Sequence, residues 1–356
     1  MKCKFLVTVF LAILFSIFFA GCAYSPGQIL GRMKKTMLEI DSMHFKGKCE
    51  GISKYKDQKI GLSLEFEGDA TEMTSVEKCN ITTDNELSVS LGGISLNFGV
   101  NTRIIGNNFY IRANKIPGAI PFVKGKFTEL LMAIQGKWVK FDITSLRQKR
   151  KMNREEIAEL KDKVKREFMK TKLSKDINVL EKEKIDGFPC HHYLITLDKT
   201  KMANFLYSIN QMKVNWMRET GKDPGKIKKT EKSLDEIREK LARSGDIVME
   251  VWIDQKDFYL RKLKTVVFVS PSFISEKIRM PVEMCFSDFN KPVTMVEPGD
   301  ALTFPEFIVD IIKIPRDKIP DIKLPFLKGR FPFDLDKIPL PDNLFKTPGD
   351  KDEKVI

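Results

Sequence analysis

Histidine is nearly missing from this chain: His44, His191 and His192 are the three in 356 residues. The adjacent pair falls in a run that reads as a strand, where neighbours point to opposite faces, so the two rings do not easily share a metal. Cysteine is sparse, six residues without one Cys-x-x-Cys pair, which leaves a zinc site little support. No Gly-x-Ser-x-Gly, His-Glu-x-x-His or phosphate-loop motif occurs. Ser53-Lys54-Tyr55-Lys56 fits Ser-x-x-Lys, but at a strand end and without Lys-Thr-Gly, so chance explains it. These absences point away from an enzyme and from any cofactor or metal. No nucleic-acid-binding module is recognisable either, although the net charge is +13.

What the chain does have begins at residue 1. Lys2 and Lys4 precede an uncharged run from Phe5 to Phe19, and Ala20 and Gly21 then lead to Cys22. That is the anatomy of a secretory signal, too short and too abruptly ended for a spanning helix. Phe19-Ala20-Gly21-Cys22 resembles a bacterial lipobox, with Phe19 in place of the usual Leu. The resemblance implies cleavage before Cys22, acylation of its thiol, and a body tethered outside the cytoplasm; two or more acyl chains give stable anchoring. An ordinary cleaved signal or an uncleaved anchor are the alternatives. The Asn80-Ile81-Thr82 sequon is silent in a bacterial setting. Cys49, Cys79, Cys190 and Cys285 then remain for disulfides or free thiols. Alternation sets Cys49 beside Phe45 on an apolar face and turns Cys285 away from Met284 and Phe286, which disfavours a Cys49–Cys285 bridge.

Residues 22–297 read as one domain after the 1–21 signal, at 42% apolar and 31% charged for the whole chain. Ser25-Pro26-Gly27-Gln28 opens a helix with a capping box. Alternating runs predict strands over 43–56, 60–67, 74–83, 86–98 with an irregularity at Gly92-Gly93, 100–106, 108–113 and 138–143. A hairpin at 176–197 and strands at 246–254, 258–270 and 278–290 follow. Charged helices interrupt this second half, with stripes at Ile157, Leu160, Val164 and Phe168, at Met202, Phe205, Leu206, Ile209 and Trp216, and at Leu234, Ile237 and Leu241 behind Ser233 and Glu236. Residues 147–175 carry twelve Lys/Arg against five Asp/Glu, a solvated helix face or a contact for anionic headgroups. Residues 298–356 form a proline-rich segment, with eight of the 17 prolines between Pro305 and Pro348, expected to be extended and partly disordered. The fold class is α+β: an open, strongly curved antiparallel sheet of about eleven or twelve strands, a half-barrel over amphipathic helices.

Three stretches, "MLEIDSMHFKGKCEG" after the first helix, the "KIDGFPCHHYLITLD" hairpin and "VMEVWIDQKDFYLRKL", together with the element order, resemble the LolA/LppX-like superfamily of bacterial lipoproteins and lipoprotein carriers. The resemblance covers about residues 25–290 and implies a curved sheet enclosing a hydrophobic cavity. The cavity lining expected from alternation is Leu62, Leu64, Phe66, Leu87, Val89, Leu91, Phe109, Ile111, Val139, Phe141, Val251 and Ile253. The apolar connection at 114–135, with Ile116, Ile120, Phe122, Phe127, Leu130 and Leu131, either packs on the core or acts as a lid. The expected function is binding of a lipid or other hydrophobic ligand at the cell envelope, for trafficking of lipid or lipoprotein; the expected partners are that ligand and, through Cys22, a membrane. The alternative is a structural or sensory envelope lipoprotein whose helices fill the sheet face and whose partner is a protein. Ala23 after the cysteine places the protein in the outer membrane of a two-membrane organism, and the sequence leaves oligomeric state open. The anchor is tested by Cys22→Ala: the variant should move from the membrane to the soluble fraction on fractionation, and unchanged membrane partition would reject acylation.

Overall fold

The computed structural model describes residues 24–55, 58–75, 78–117, 135–144, 154–219, 246–269 and 278–310, with isolated positions between 225 and 239. Residues up to Thr303 form one compact unit, and those from Phe304 another.

The first unit starts with helix α1 (Pro26–Leu38), followed by strands β1 (Met43–Tyr55), β2 (Gln58–Thr71), β3 (Asn80–Leu91), β4 (Ile94–Ile105), β5 (Asn108–Lys115) and β6 (Val139–Asp142). Helix α2 (Arg154–Lys170), strands β7 (Ser174–Val179), β8 (Glu183–Ile185) and β9 (Phe188–Leu197), and helix α3 (Lys199–Glu219) come next. Strands β10 (Val248–Asp254), β11 (Leu260–Val269), β12 (Ile278–Ser287) and β13 (Leu302–Thr303) complete it. Together they make a 13-stranded sheet ordered β13-β6-β5-β4-β3-β2-β1-β12-β11-β10-β9-β7, with β8 on β9. The expected α+β class is what forms: an open, curved sheet that is antiparallel throughout except at β13–β6. Its two halves are stitched by the antiparallel pairing of β1 with β12, which sets Phe45 opposite Phe286.

Local chemistry accounts for most elements. The Ser25 hydroxyl accepts from the Gln28 amide at 3.3 Å while the Gln28 side chain accepts from the Ser25 amide at 2.8 Å, so both ends of the capping box are made. Asp186 and Gly187 both take positive φ, 49° and 83°, as a two-residue hairpin loop needs. Gly92 and Gly93, at 57° and 86°, do the same. This corrects the expectation of a single strand over 86–98: the pair is a hairpin turn, and Leu91 lies opposite Ile94. In the segment expected as a strand at 74–83, the strand begins at Asn80, and the described residues before it (74, 75, 78 and 79) are not in a strand.

The outer face explains how so wide a sheet stays wet on one side. One cross-strand row reads Leu194, Glu250, Lys264, Glu283, Lys48, Glu65, Glu86, and the next His192, Trp252, Lys262, Cys285, Lys46, Glu67, Asp84, Asn101. Opposite charges meet in it: Glu283 pairs with Lys262 at 2.9 Å and Lys264 at 3.5 Å. Cys285 belongs to this face and Cys49 to the inner one, as alternation predicts. Cys49, Cys190 and Cys285 are free thiols, and burial raises the pKa of each, Cys190 to about 11.

After β12 the chain runs across the ends of β1 to β6 as a strap. The Lys291 carbonyl accepts from the Ser42 hydroxyl (2.6 Å), the Val296 carbonyl from the Arg103 guanidinium (2.9 Å), and the Glu297 carboxylate from the hydroxyl of buried Tyr110, before β13 pairs with β6. Burial first, and then the Glu297 carboxylate, push the Tyr110 phenol far above its ordinary pKa. The second unit contains helix α4 (Phe304–Asp310). That corrects the expectation of an extended chain from 298 onward: Pro305 sits in the helix's first turn, where its missing N–H costs nothing. Residues Ser233, Leu234, Glu236, Ile237 and Leu241, the side chains of Ile157, Leu160 and Trp216, and the tail beyond Asp310 lie outside the described residues. Among the described residues no helix is long and apolar enough to cross a membrane.

A buried ion pair fixes the β10–β11 connection. Asp254 accepts from the Lys256 and Asp257 amides (2.9 and 3.1 Å) and from the Arg261 guanidinium (2.9 and 3.1 Å). Arg261 in turn lies 3.8 Å over the Phe188 ring. Burial alone would raise the Asp254 pKa, but the Asp257 and Lys256 amides and Arg261 outweigh it and hold the carboxyl below its ordinary range. A depressed pKa gives stability that is complete above the unfolded-state value, roughly 4, and is lost as pH falls through the folded one. Urea midpoints should therefore drop as pH is taken below about 4, and less steeply in Asp254→Asn. Arg261→Met, which strands the carboxylate, should cost about 3–5 kcal/mol at neutral pH.

Candidate functional site

The strand register sets which residues share the inner face. One row runs Tyr193, Val251, Leu263, Met284, Gly47, Phe66, Asn85, Val100 and Ala113; another runs Phe286, Phe45, Gly68, Thr83, Thr102, Ile111 and Val139. All twelve residues expected as cavity lining lie on this face. They are not brought together, because they span the sheet from β10 to β6. Leu62 packs beside Ile60, Ile278 and Met280. Phe66 lies over Gly47, where an added Cβ would also come within 2.9 Å of the Glu283 carbonyl. Phe109 meets the buried Phe141 with ring centroids 6.0 Å apart, and Val139 is buried next to them. Leu64, Val89 and Ile111 are half-buried, Leu87 is exposed, and Leu91 is placed by its pairing with Ile60 and Ile94. Ile253 is fully buried in a cluster with Ile29, Tyr193, Ile195 and Val251, which is where α1 sits on the sheet.

Beside that cluster lies an open-sided cavity of about 590 Å³. Its floor is Ile195, Leu197, Met249, Val251, Leu260 and Leu263 of β9, β10 and β11. Leu30 and Met33 of α1 form one wall, and Phe168 and Met169 at the end of α2, with Leu173 beyond it, form the other. Polar lining is limited to Ser25, Gln28, Thr171, Ser174 and three lysines, Lys34, Lys170 and Lys172. Of the expected residues only Val251 contributes. The remaining lining residues are core positions of separate elements, and no periodicity in one element signals that they face each other across a gap.

Lys34 holds the two walls together. Its ammonium donates to the carbonyls of Phe168 (3.2 Å) and Thr171 (2.8 Å), closing the C-terminal end of α2, and stands 4.7 Å from the Phe168 ring centroid. Burial lowers its pKa. The outer face carries two other grooves, about 580 and 590 Å³, lined by charges of both signs such as Lys46, Lys48, Glu65 and Glu283. Those charges serve the cross-strand pairing already described.

His191 and His192 point to opposite faces as expected. His192 is buried on the outer one, stacked on Trp252 with ring centroids 4.2 Å apart and within 3.1 Å of Glu250. Burial lowers the His191 pKa. Among the described residues no group of three or more His, Cys, Asp or Glu side chains could hold a metal. Cys22, and of the expected lid Ile120, Phe122, Phe127, Leu130 and Leu131, lie outside the described residues; Ile116 is half-buried just after β5.

No protein-family model matches the sequence, and no curated protein matches it. Among solved structures the chain is similar to LprF from Mycobacterium bovis, at 13% identity and a TM-score of 0.38, over 77% of this chain and 98% of that one. It is similar to the Mycobacterium tuberculosis lipoprotein LppX at 11% identity and a TM-score of 0.34, over 76% and 97% of the two chains. A LolA superfamily protein from Nitrosomonas europaea follows at 9% identity and a TM-score of 0.18, over 77% and 96%. The likeness is distant, with identities of 9–13% and each TM-score below 0.4.

Proposed function

We propose that this protein is a membrane-anchored envelope lipoprotein that holds a lipid or other hydrophobic ligand on the inner face of its sheet. The observation that carries the reading is the apolar cavity between α1, the end of α2 and strands β9 to β11. Its volume falls inside the range of about 300–1,000 Å³ usual for small-molecule sites. Each methylene buried there contributes about 0.8 kcal/mol, so an acyl chain binds without any covalent chemistry and with few polar contacts. The anchor belongs to the same reading. Ser25 lines the cavity three residues after Cys22, and three extended residues span at most about 11 Å. Acylation at Cys22 would thus hold the cavity close to the bilayer on the extracytoplasmic side, the outer membrane in a two-membrane organism. Residues 114–135 are the proposed lid, and passing the ligand on would be the proposed role in trafficking.

A second reading, a structural or sensory module with a filled core, draws support from the packed cluster of Ile29, Tyr193, Ile195, Val251 and Ile253. The two readings part on one measurement. Native mass spectrometry and lipid extraction of the purified protein should recover a bound lipid, and Leu263→Trp or Met249→Trp, which fill the floor, should cut its occupancy about tenfold while circular dichroism stays unchanged. Recovery of protein with no lipid, together with failure to take up a fluorescent acyl probe, would favour the filled module.

A further inference from the structure

We propose that the cavity selects an anionic single-chain lipid of the long-chain fatty-acid kind, its acyl chain over Met249, Val251 and Leu263 and its carboxylate at Lys34, Lys170 and Lys172. This rests on the reading of the cavity as a ligand site and adds the chemical class of the ligand. The three lysines line the same cavity, and no Asp or Glu lines it with them. That separates it from both outer grooves, where acidic and basic side chains line the same groove. Among the described residues no ion pair engages Lys34, Lys170 or Lys172, and they border a floor that is apolar. An ammonium has three N–H donors, and Lys34 spends two on the Phe168 and Thr171 carbonyls, leaving one for a ligand oxygen. Lys34 is half-buried, and its partial desolvation is what a counter-anion relieves most effectively. Lys170 and Lys172 are exposed, so they add attraction at the rim without fixing geometry. An apolar floor under a purely cationic rim matches a molecule with one apolar chain and one anionic end.

Isothermal titration of the mature chain with dodecanoate and with 1-dodecanol isolates the charge, since the two probes share a chain length. The wild type should bind dodecanoate about tenfold or more tightly than dodecanol, the scale of a hydrogen bond to a charged group. Lys34→Met keeps an apolar stem against Phe168 but removes both carbonyl bonds between the walls, so it is read by the ratio of the two affinities: that ratio should fall to about one, whatever the change in dodecanol affinity itself. The double variant Lys170→Gln, Lys172→Gln leaves the Lys34 clamp intact and should narrow the preference by a few fold. Equal affinity of the wild type for both probes would overturn the proposed ligand class and leave the cavity as a neutral-lipid site. Binding of neither probe would overturn the ligand-binding reading itself. A preference that survives in both variants, or loss of both probes in Lys34→Met beside an unaltered double variant, would remove these lysines from ligand recognition.

Discussion

Side chains alternate along a regular strand, and in an antiparallel sheet the register carries that alternation from each strand to the next. Here bulges beside Ile253 and at Gly99–Val100 interrupt it locally, setting Leu260 as well as Leu263 on the inner side, and a mostly apolar face still runs from β6 to β9. Such a face must be covered, because apolar area left in water costs about 25 cal/mol per Å². Helix α1 does this for β9, β10 and β11, with Ile29 seated in the cluster of Tyr193, Ile195, Val251 and Ile253. Lys34 then ties α1 to the end of α2 through two carbonyl hydrogen bonds, and the cavity lies under that tie. The walls are thus fixed by a polar contact between helices, while the floor is fixed by the sheet.

The sheet needs its own restraints, since its edge strands β13 and β7 are far apart in the strand order and do not pair. Pairing of β1 with β12 joins the two halves. The strap after β12 crosses the ends of β1 to β6 and is held by Ser42, Arg103 and Tyr110 before it pairs with β6. At the inner centre, Phe66 lies over Gly47 and Phe45 over Gly68, two places where a Cβ would collide with the ring. These aromatic rings cover backbone that glycine leaves bare. They therefore lie along the sheet and pack against it.

Much of this was readable from residue order. The capping box at Ser25 and Gln28, the positive-φ turn at Asp186-Gly187, the opposite facing of Cys49 and Cys285 and the shared face of the twelve apolar residues all follow from local rules. Gly92-Gly93 was readable too, through a change of parity. Leu87, Val89 and Leu91 occupy odd positions and Ile94, Leu96 and Phe98 even ones, yet all face inward. A regular strand cannot switch parity without turning its apolar side to water, so the change signals either a bulge or a turn, and the positive φ of both glycines makes it a hairpin. The strap and β13 have no such signal, because their bonds join backbone atoms to Arg103, Ser42 and Trp138 from distant strands. Proline density suggested an extended chain where α4 forms, since proline at a helix's first turn is compatible with either state.

The cavity was the least legible feature, and the reason is physical. Ile195, Met249, Val251 and Leu263 carry the same inward-facing pattern as residues that pack solidly, and alternation reports a face without reporting what stands above it. Emptiness depends on the separation between helices, which is set by contacts such as Lys34 to Thr171, 137 residues apart in sequence. A lysine placed on a helix beside the apolar stripe reads from sequence as a solvated charge. In the fold it becomes half-buried, loses part of its hydration, and stands where an apolar floor meets a cationic rim. A guest that covers the floor removes apolar area from water, and an anionic end on that guest offsets the desolvation of the ammonium in the same event. The two gains need one molecule carrying both groups, which is why the charge at the rim and the grease beneath it are best explained together.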